Sequence, residues 1–306
     1  MDEFKASRTA LATSLMRAAH TRLDPHPLID DPWGDRLVPD SARDLFRESA
    51  LARMGIDARE KALASPQSIV DESLLRSRAY ANVVSRSRYA EDALEKAVAR
   101  GISQYVLIGA GFDSFALRLP SFAKGLQIFE IDFPATQGLK LQRIRECALS
   151  LPDSVHFIAA DLAEESVQQA LARSTFRPDQ LTFFSWLGVS MYLTREANLA
   201  TFKSIAACSP TASELVFTYF DERLFHLPTE SFREMEKRVA SVGEPFLSGF
   251  SPASLAENLA SCGLNLVEDL DGGGVAARYN RTGDKSLGQS SFSHIALARV
   301  WADAGA

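Results

Sequence analysis

Short apolar runs alternate with longer helical segments over the last two thirds of the chain. The runs are rich in Val, Ile, Leu and Phe and end near Gly, Pro, Asp or Ser, which is typical of buried strands. The pattern predicts seven strands, at Gln104–Ile108, Gln127–Asp132, Val155–Ala159, Leu181–Trp186, Glu214–Tyr219, Asn265–Asp269 and His294–Arg299. Because helices separate the strands, we expect right-handed crossovers, a mostly parallel seven-stranded sheet and an α/β fold.

The N-terminal part has helical spacing and no strand signal. Leu11 and Leu15 share one face of a first helix, and apolar residues from Asp71 to Arg100 recur at helical intervals. We therefore predict a helical cap over residues 1–100, followed by a nucleotide-binding domain over residues 101–306.

Aromatic and charged residues interrupt the strand rhythm after the fifth strand. Phe225, Phe232 and Phe246 lie in this stretch, between about Asp221 and Phe250. We predict that it is a lid inserted into the domain.

Polar residues and glycines mark helix boundaries near the fourth and sixth strands. Thr194 is a predicted N-cap, and Ser251-Pro252 supplies a cap and a first-turn proline to a helix that ends at Gly263. The run Gly272-Gly-Gly274 is predicted to be a flexible turn.

Composition narrows the class of protein. The 306-residue chain is 46% hydrophobic and carries 33 basic against 39 acidic residues, a net charge of -6. This balance provides no basic surface for nucleic acid or an anionic membrane. The three cysteines form no Cys-x-x-Cys pair, and no apolar run has the length of a signal peptide or a membrane span. We expect a cytoplasmic protein with no metal site.

A glycine turn between two strands indicates a nucleotide-cofactor pocket. Gly109 and Gly111 follow the first strand, and Asp132 ends the second strand 21 positions after Gly111. In a doubly wound sheet this acid meets ribose hydroxyls. Ser114 stands where the full dinucleotide fingerprint has its third glycine, which argues against a nicotinamide cofactor. An NAD(P)-dependent oxidoreductase and a non-catalytic adenosyl-binding protein remain alternatives.

Several motifs in serial order resemble the leucine carboxyl methyltransferase family. They are Arg17-Ala-Ala-His20 with Asp31-Pro32, Arg86-Ser-Arg88, Gly109-Ala-Gly-Phe-Asp-Ser-Phe-Ala-Leu-Arg-Leu119, Phe129-Glu-Ile-Asp-Phe-Pro134, Ala160-Asp-Leu162, Trp186-Leu-Gly-Val-Ser-Met-Tyr-Leu193 and Phe250-Ser-Pro252. The resemblance covers nearly the whole chain. It implies a Rossmann-like class I methyltransferase of the small-molecule O-methyltransferase branch, with S-adenosylmethionine as cofactor and S-adenosylhomocysteine as product.

The resemblance also implies roles for residues around the glycine turn. Gly109, Ala110 and Gly111 would let the backbone pass the methionine part of the cofactor. Asp132 would bind the ribose hydroxyls, with Phe133 beside it. Each role has a structural alternative, since glycine turns follow many strands and an acid can simply cap a strand end.

Further contacts are implied at the adenine and the carboxylate of the cofactor. Asp161 would lie near the adenine amino group and Leu162 against the ring, although Asp161 could instead cap a helix. Arg86 would bind the carboxylate through its planar fork, or lie on a solvated basic helix face. Asp113 either contacts the cofactor or orients the glycine turn through backbone amides.

One position departs from the family pattern. Many members have a glutamate where this chain has Leu187, so the contact to the cofactor amine must come from Ser185, Trp186 or backbone carbonyls. The resemblance extends to a variant subgroup with the Trp-Leu-Gly form, which implies that the family tolerates this change.

The acceptor side lacks an obvious base. Methyl transfer is an in-line displacement that needs alignment and exclusion of water, and a carboxylate acceptor is already ionised at neutral pH. No histidine has triad spacing, and Tyr192 is the candidate for orienting the acceptor. We expect O-methylation of a carboxylic acid on a small molecule. A phenol and a protein C-terminal carboxylate are the alternatives.

Overall fold

The computed structural model describes residues 6–52, 54, 66–240, 243–280, 287 and 292–301. The helices are α1 Arg8–Leu23, α2 Gly34–Leu37, α3 Asp40–Leu51, α4 Pro66–Leu75, α5 Tyr80–Val98, α6 Phe115–Arg118, α7 Pro134–Glu146, α8 Val167–Leu171, α9 Arg195–Ala207, α10 Arg223–His226, α11 Glu230–Ala240, α12 Leu255–Ala260 and α13 Gly272–Tyr279. The strands are β1 Gln104–Ile108, β2 Gln127–Asp132, β3 Val155–Ala159, β4 Thr182–Trp186, β5 Glu214–Phe220, β6 Leu264–Leu270 and β7 Ser293–Val300.

The seven strands form one sheet in the order β3-β2-β1-β4-β5-β7-β6. The first five strands pair in parallel, whereas β7 runs antiparallel to both of its neighbours. The predicted seven-stranded, mostly parallel sheet is confirmed. The first three strand boundaries agree with the prediction, and the other four differ by a residue at one or both ends.

The strand order reverses between β1 and β4, and this reversal locates the ligand crevice. Strands β2 and β3 follow β1 on one side, while the chain crosses to the other side for β4 and β5. In such sheets ligands bind beyond the carboxyl ends of the strands at this switch point. Both central strands are buried along their whole length, because helices cover both faces of the sheet.

Two helix boundaries differ from the sequence prediction. Ser251-Pro252 does not begin α12, which starts at Leu255 after a turn in which the Ser254 amide donates to the Ser251 carbonyl. The glycines of Gly272–Gly274 form the first turn of α13 rather than a flexible turn. Asp271 accepts a hydrogen bond from the Gly274 amide at 2.8 Å, and this cap stabilises a helix start despite the glycines.

Helix α1 lies over the glycine turn after β1. A Cβ on Gly111 would be 3.0 Å from the Cβ of Ala10 in α1. The Ser7 amide donates to the Thr136 hydroxyl at the start of α7, at 3.1 Å. Because α1 also packs on α2, α4 and α5, the N-terminal helices reach the crevice at the carboxyl ends of β1 and β2.

Residues 221–250 leave the sheet after β5 and carry α10 and α11. The segment is closed at its base by a bridge between Asp221 and Phe250. Its apolar side chains form one cluster with the residues after β4: Met191, Leu224, Phe232 and Phe246, with Tyr192, Phe220, Phe225, Met235, Val239 and Phe292 packed against them. The segment therefore contacts the crevice beside Tyr192.

None of the helices in the described ranges has both the length and the apolar composition of a bilayer span.

Candidate cofactor and acceptor site

The glycine turn joins the ends of β1, β2 and β4. The amides of Gly109 and Ala110 both donate to the Ile131 carbonyl, at 2.9 and 3.1 Å. Gly109 has φ 68°, and a Cβ there would be 2.5 Å from Cγ2 of Val189 after β4. A positive φ and a close neighbour both require glycine here. The turn consequently lies directly across the switch point.

Gly109→Ala is expected to lower stability by more than the left-handed conformation alone, which costs about 1–2 kcal/mol. The extra cost comes from the clash with Val189. Gly125→Ala is the matched control, because Gly125 has φ 95° but nothing lies within 4 Å of its Cβ position. Denaturant unfolding should show the larger loss for Gly109→Ala, partly recovered by adding Val189→Ala. Equal losses at the two glycines would contradict the packing argument.

Asp132 links the end of β2 to this turn by hydrogen bonds. One carboxylate oxygen accepts a hydrogen bond from the Gly111 amide, and the other accepts from the Phe133 amide at 2.7 Å. Burial raises the pKa of Asp132, and the two amides and Lys140 oppose that shift. Unused lone pairs remain on an ionised carboxylate with two donors. Asp132 can therefore both shape the turn and accept ribose hydroxyls.

Phe133 and Leu162 supply apolar surface next to Asp132. Phe133 is 48% exposed at the start of α7, and Leu162 is partly buried against the core after β3. Asp161 accepts a hydrogen bond from the Ala163 amide at 3.0 Å, and its carbonyl accepts from the next two amides. It thus shapes a turn rather than the predicted alternative of a helix cap. Phe133 thus follows the end of β2, and Asp161 and Leu162 follow the end of the neighbouring β3.

Asp113 organises the backbone after the glycine turn. Its carboxylate accepts a hydrogen bond from the Phe115 amide at 2.7 Å, at the start of α6. This contact lies beyond Gly109–Gly111, so orientation of the glycine turn and a contact to the cofactor both stay predictions for Asp113.

Arg86 is a largely buried cation that faces the end of β4. A Cβ on Gly188 would be 2.5 Å from both terminal nitrogens of its guanidinium, and Gly188 has φ 73°. Arg86 donates to the Asn82 side chain at 3.2 Å, and no carboxylate of the described residues pairs with it. Burial lowers the pKa of Arg86 to about 10. A buried guanidinium without a counter-charge favours an anionic ligand at this position.

Ser185 and Trp186 are buried within the sheet layers. The Ser185 hydroxyl is 3.0 Å from the Tyr105 hydroxyl, and the Trp186 ring packs edge-on against Phe202. Trp186 has no exposed surface, and its indole nitrogen has no hydrogen-bond partner in the described structure. Because both side chains are buried, a cofactor contact at these two residues stays a prediction, and their backbone is its more accessible part.

Tyr192 lies at the mouth of the crevice in a 3-10 turn after β4. Its ring is 5.4 Å from that of Phe246, and the Leu247 amide donates to the Met191 carbonyl at 2.7 Å. Burial raises the pKa of Tyr192, as does the charge of Glu244, while Thr9 and Arg86 act in the opposite direction. Tyr192 therefore stands between the cationic end of the site and segment 221–250.

Two contacts from distant parts of the chain were missed by the sequence analysis. Thr9 of α1 donates a hydrogen bond to the Glu244 carboxylate, which joins the N-terminal helix to segment 221–250. Arg17 pairs with Asp31 at 2.8 Å and donates to the Phe112 carbonyl at 2.6 Å, which braces the glycine turn. Only the resemblance had drawn attention to Arg17, and no local pattern signals the Thr9–Glu244 pairing.

The sheet order with an antiparallel seventh strand, the glycine turn and the acid at the end of β2 define a class I methyltransferase, an enzyme that uses S-adenosylmethionine. The chain belongs to the leucine carboxyl methyltransferase family, whose model matches residues 10–206. This match confirms the family that the serial motifs indicated and excludes the oxidoreductase alternative.

Relatives and solved structures agree with this assignment. The chain is 32% identical over 277 residues to YktD of Bacillus subtilis, a provisionally named S-adenosyl-L-methionine-dependent methyltransferase, covering 88% of this chain and 90% of that one. A provisionally named methyltransferase of the same kind from Mycobacterium avium is 30% identical, over 76% and 74% of the two chains.

A solved structure from Thermobifida fusca, provisionally named a methyltransferase, has a TM-score of 0.59 at 12% identity, over 94% of this chain and 95% of that one. A DUF574 family protein from Streptomyces avermitilis has a TM-score of 0.56 at 15% identity, over 76% and 90%. These two likenesses concern the fold.

Proposed function

We propose that this methyltransferase forms the methyl ester of a carboxylic acid on a small molecule. The observation that carries the proposal is the family match, which is named for carboxyl methylation and spans residues 10–206, including β1–β4 and Tyr192. A carboxylate needs no base to become a nucleophile at neutral pH. A carboxylate acceptor therefore suits this crevice, because no histidine contacts Tyr192 among the described residues.

The residues present fit S-adenosylmethionine. Arg86 would bind the carboxylate of its methionine part, the glycine turn would pass along the chain of that part, and Asp132 would accept the ribose hydroxyls. Phe133 and Leu162 would cover the adenine, with Asp161 near the amino group. When bound, the cofactor supplies an electrophilic methyl group on sulfur.

The amine of the cofactor requires acceptors at the end of β4. Since the side chains of Ser185 and Trp186 are buried, we assign this contact to backbone carbonyls after β4. Those carbonyls carry no formal charge, so the site lacks the acidic partner that a glutamate in place of Leu187 provides in many family members.

On the acceptor side the chain orients the substrate and excludes water. Tyr192 would donate a hydrogen bond to the acceptor carboxylate. Phe246 and its aromatic neighbours provide apolar surface around it, which suits an enclosed small molecule more than a protein tail. A protein C-terminal carboxylate remains the alternative acid.

A hydroxyl acceptor is the second candidate, and Glu244 is the observation that favours it. Its carboxylate lies near Tyr192, accepts from Thr9, and has no cationic partner in the described part of the chain. A carboxylate in that position could accept the proton of a phenol or alcohol.

Product chemistry tests the proposal. The purified protein is incubated with S-adenosylmethionine and matched sets of aromatic and aliphatic acids, the corresponding phenols, and a peptide ending in leucine. Formation of S-adenosylhomocysteine with a methyl product that mild base hydrolyses supports ester formation. A base-stable methyl ether supports the hydroxyl candidate, and transfer only to nitrogen or carbon overturns both.

Tyr192→Phe is expected to reduce kcat/KM for the acceptor by about 10- to 150-fold, since one hydrogen bond to a charged group contributes about 1.5–3 kcal/mol. The affinity for S-adenosylhomocysteine should change little. Phe246→Leu, which keeps the hydroxyl but removes the ring contact, is the control for packing. A Tyr192→Phe enzyme with unchanged kinetics would remove Tyr192 from the acceptor site.

A further inference from the structure

A lysine and a glutamate are buried together beneath the cofactor crevice. Lys140 of α7 pairs with Glu130 of β2, and both residues are 1% exposed. The Lys140 ammonium also lies 6.0 Å over the ring of Phe157. The other carboxylate oxygen of Glu130 has no hydrogen-bond partner in the described structure.

The pair lies next to the proposed ribose ligand. Glu130 precedes Asp132 by two positions in β2, so both side chains point to the same face of the sheet. Asp113 faces the same cluster from the glycine turn and interacts with Glu130. The Lys140 ammonium thus pairs with Glu130, and the charges of Asp113 and Asp132 act on the same Glu130 carboxylate.

A buried ion pair of this kind contributes little net stability to the folded protein. Desolvation of a buried pair commonly offsets its attraction, and apolar residues of similar volume often serve at least as well. One Glu130 oxygen is also left without a donor, which adds to the cost. The charge of Lys140 also acts on Asp132, so we consider a role for Lys140 in the cofactor site.

We propose that Lys140 is a positioning residue for Asp132: its ammonium, anchored by Glu130, keeps the Asp132 carboxylate ionised and ready to accept the cofactor ribose. The inference rests on the ribose role assigned to Asp132 in the proposed function. Burial raises the pKa of Asp132, the Gly111 and Phe133 amides oppose that shift through hydrogen bonds, and Lys140 is the cation whose charge opposes it further.

Breaking the pair from either side separates this role from a structural one. Lys140→Met removes the cation, whereas Glu130→Gln keeps the cation and removes a competing carboxylate. Binding of S-adenosylhomocysteine is measured by calorimetry from neutral pH down to the lowest pH at which each variant stays folded. Thermal unfolding at each pH checks that the variants are folded.

The sign of the expected shifts follows from Asp132 being active when ionised. The contribution of Asp132 to the affinity for S-adenosylhomocysteine is present above the pKa of Asp132 and is lost as the pH falls through that pKa. In Lys140→Met the loss should begin at a higher pH than in the wild type, and each pH unit of displacement corresponds to about tenfold weaker binding where affinity is falling. In Glu130→Gln the loss should begin at the same pH or lower.

The outcomes distinguish the inference from the proposed function. Asp132→Asn that binds like the wild type would show that the ribose assignment is wrong. If Asp132→Asn weakens binding but Lys140→Met and Glu130→Gln shift the pH profile in the same direction, Asp132 is the ligand and the pair is only structural. A loss that begins at higher pH in Lys140→Met and at the same or lower pH in Glu130→Gln, with no added effect of Lys140→Met on Asp132→Asn, supports positioning, whereas an unchanged Lys140→Met profile overturns it.

Discussion

Arg86→Met should weaken S-adenosylhomocysteine binding and, at the same time, raise the unfolding temperature of the free protein. The loss of affinity is expected to be about 2–5 kcal/mol, the usual cost of truncating one partner of a buried charge pair. The gain in stability follows because the free protein holds a largely buried guanidinium with no carboxylate partner in the described residues.

The pH dependence of that stability has a defined sign. Burial lowers the pKa of Arg86 from its ordinary value to about 10, so the folded state disfavours the cation. The destabilisation is complete below the lower value and fades as the pH rises between the two. The stability advantage of Arg86→Met should therefore be constant near neutral pH and shrink in strong base.

Calorimetry with S-adenosylhomocysteine and thermal unfolding without ligand measure the two effects. Arg88→Met is the matched control, because Arg88 lies in the same helix but pairs with Asp92. It should keep the affinity and lose rather than gain stability. Arg86→Lys should bind weakly, since an ammonium cannot make the bidentate contact. Unchanged affinity in Arg86→Met would remove Arg86 from the carboxylate site.

Asp132→Ala should weaken S-adenosylhomocysteine binding by about 1–3 kcal/mol, the range expected when a charged hydrogen-bond acceptor is lost. Two effects contribute. The ribose hydroxyls lose their acceptor, and the Gly111 and Phe133 amides lose the carboxylate that fixes the turn. Asp132→Asn separates them in part, because the amide oxygen still accepts one hydrogen bond but carries no charge.

Titration calorimetry of the two variants against the wild type tests this prediction. Asp153→Ala is the control, because Asp153 is an exposed acid before β3 and should bind like the wild type. Far-UV circular dichroism should be unchanged in all three variants. If Asp132→Ala keeps the full affinity, another residue binds the ribose.

The parallel strands were predictable because each is a short run rich in apolar residues that ends near a turn residue. β1, β2 and β3 have the predicted boundaries, and Thr194 caps α9 through the Ala197 amide as expected. The antiparallel direction of β7 was not predictable, because its apolar pattern does not depend on the direction of its partner. The start of α13 was missed because a cap from Asp271 outweighed three glycines.

In the candidate site, too, local sequence patterns were predictable and contacts between distant parts of the chain were not. Gly109, Gly111 and Asp132 were found in the sequence because a turn and the acid of the next strand have a nearly constant spacing. The chain separation of Thr9 and Glu244 is 235 residues, and they meet only through packing of α1 against segment 221–250. The complete burial of Trp186 was not predictable either, because a strand pattern does not show which helix packs over that strand.

The sequence by itself determined the family, the cofactor class and most of the strands of the sheet, because backbone conformation and strand burial depend on residues close together in the chain. Only the tertiary structure decided which charges lack partners. Whether Arg86 meets a carboxylate, and whether Lys140 and Glu130 face each other beneath Asp132, depends on helices folding onto the sheet from elsewhere in the chain. These long-range electrostatic neighbours set the chemistry proposed for the site.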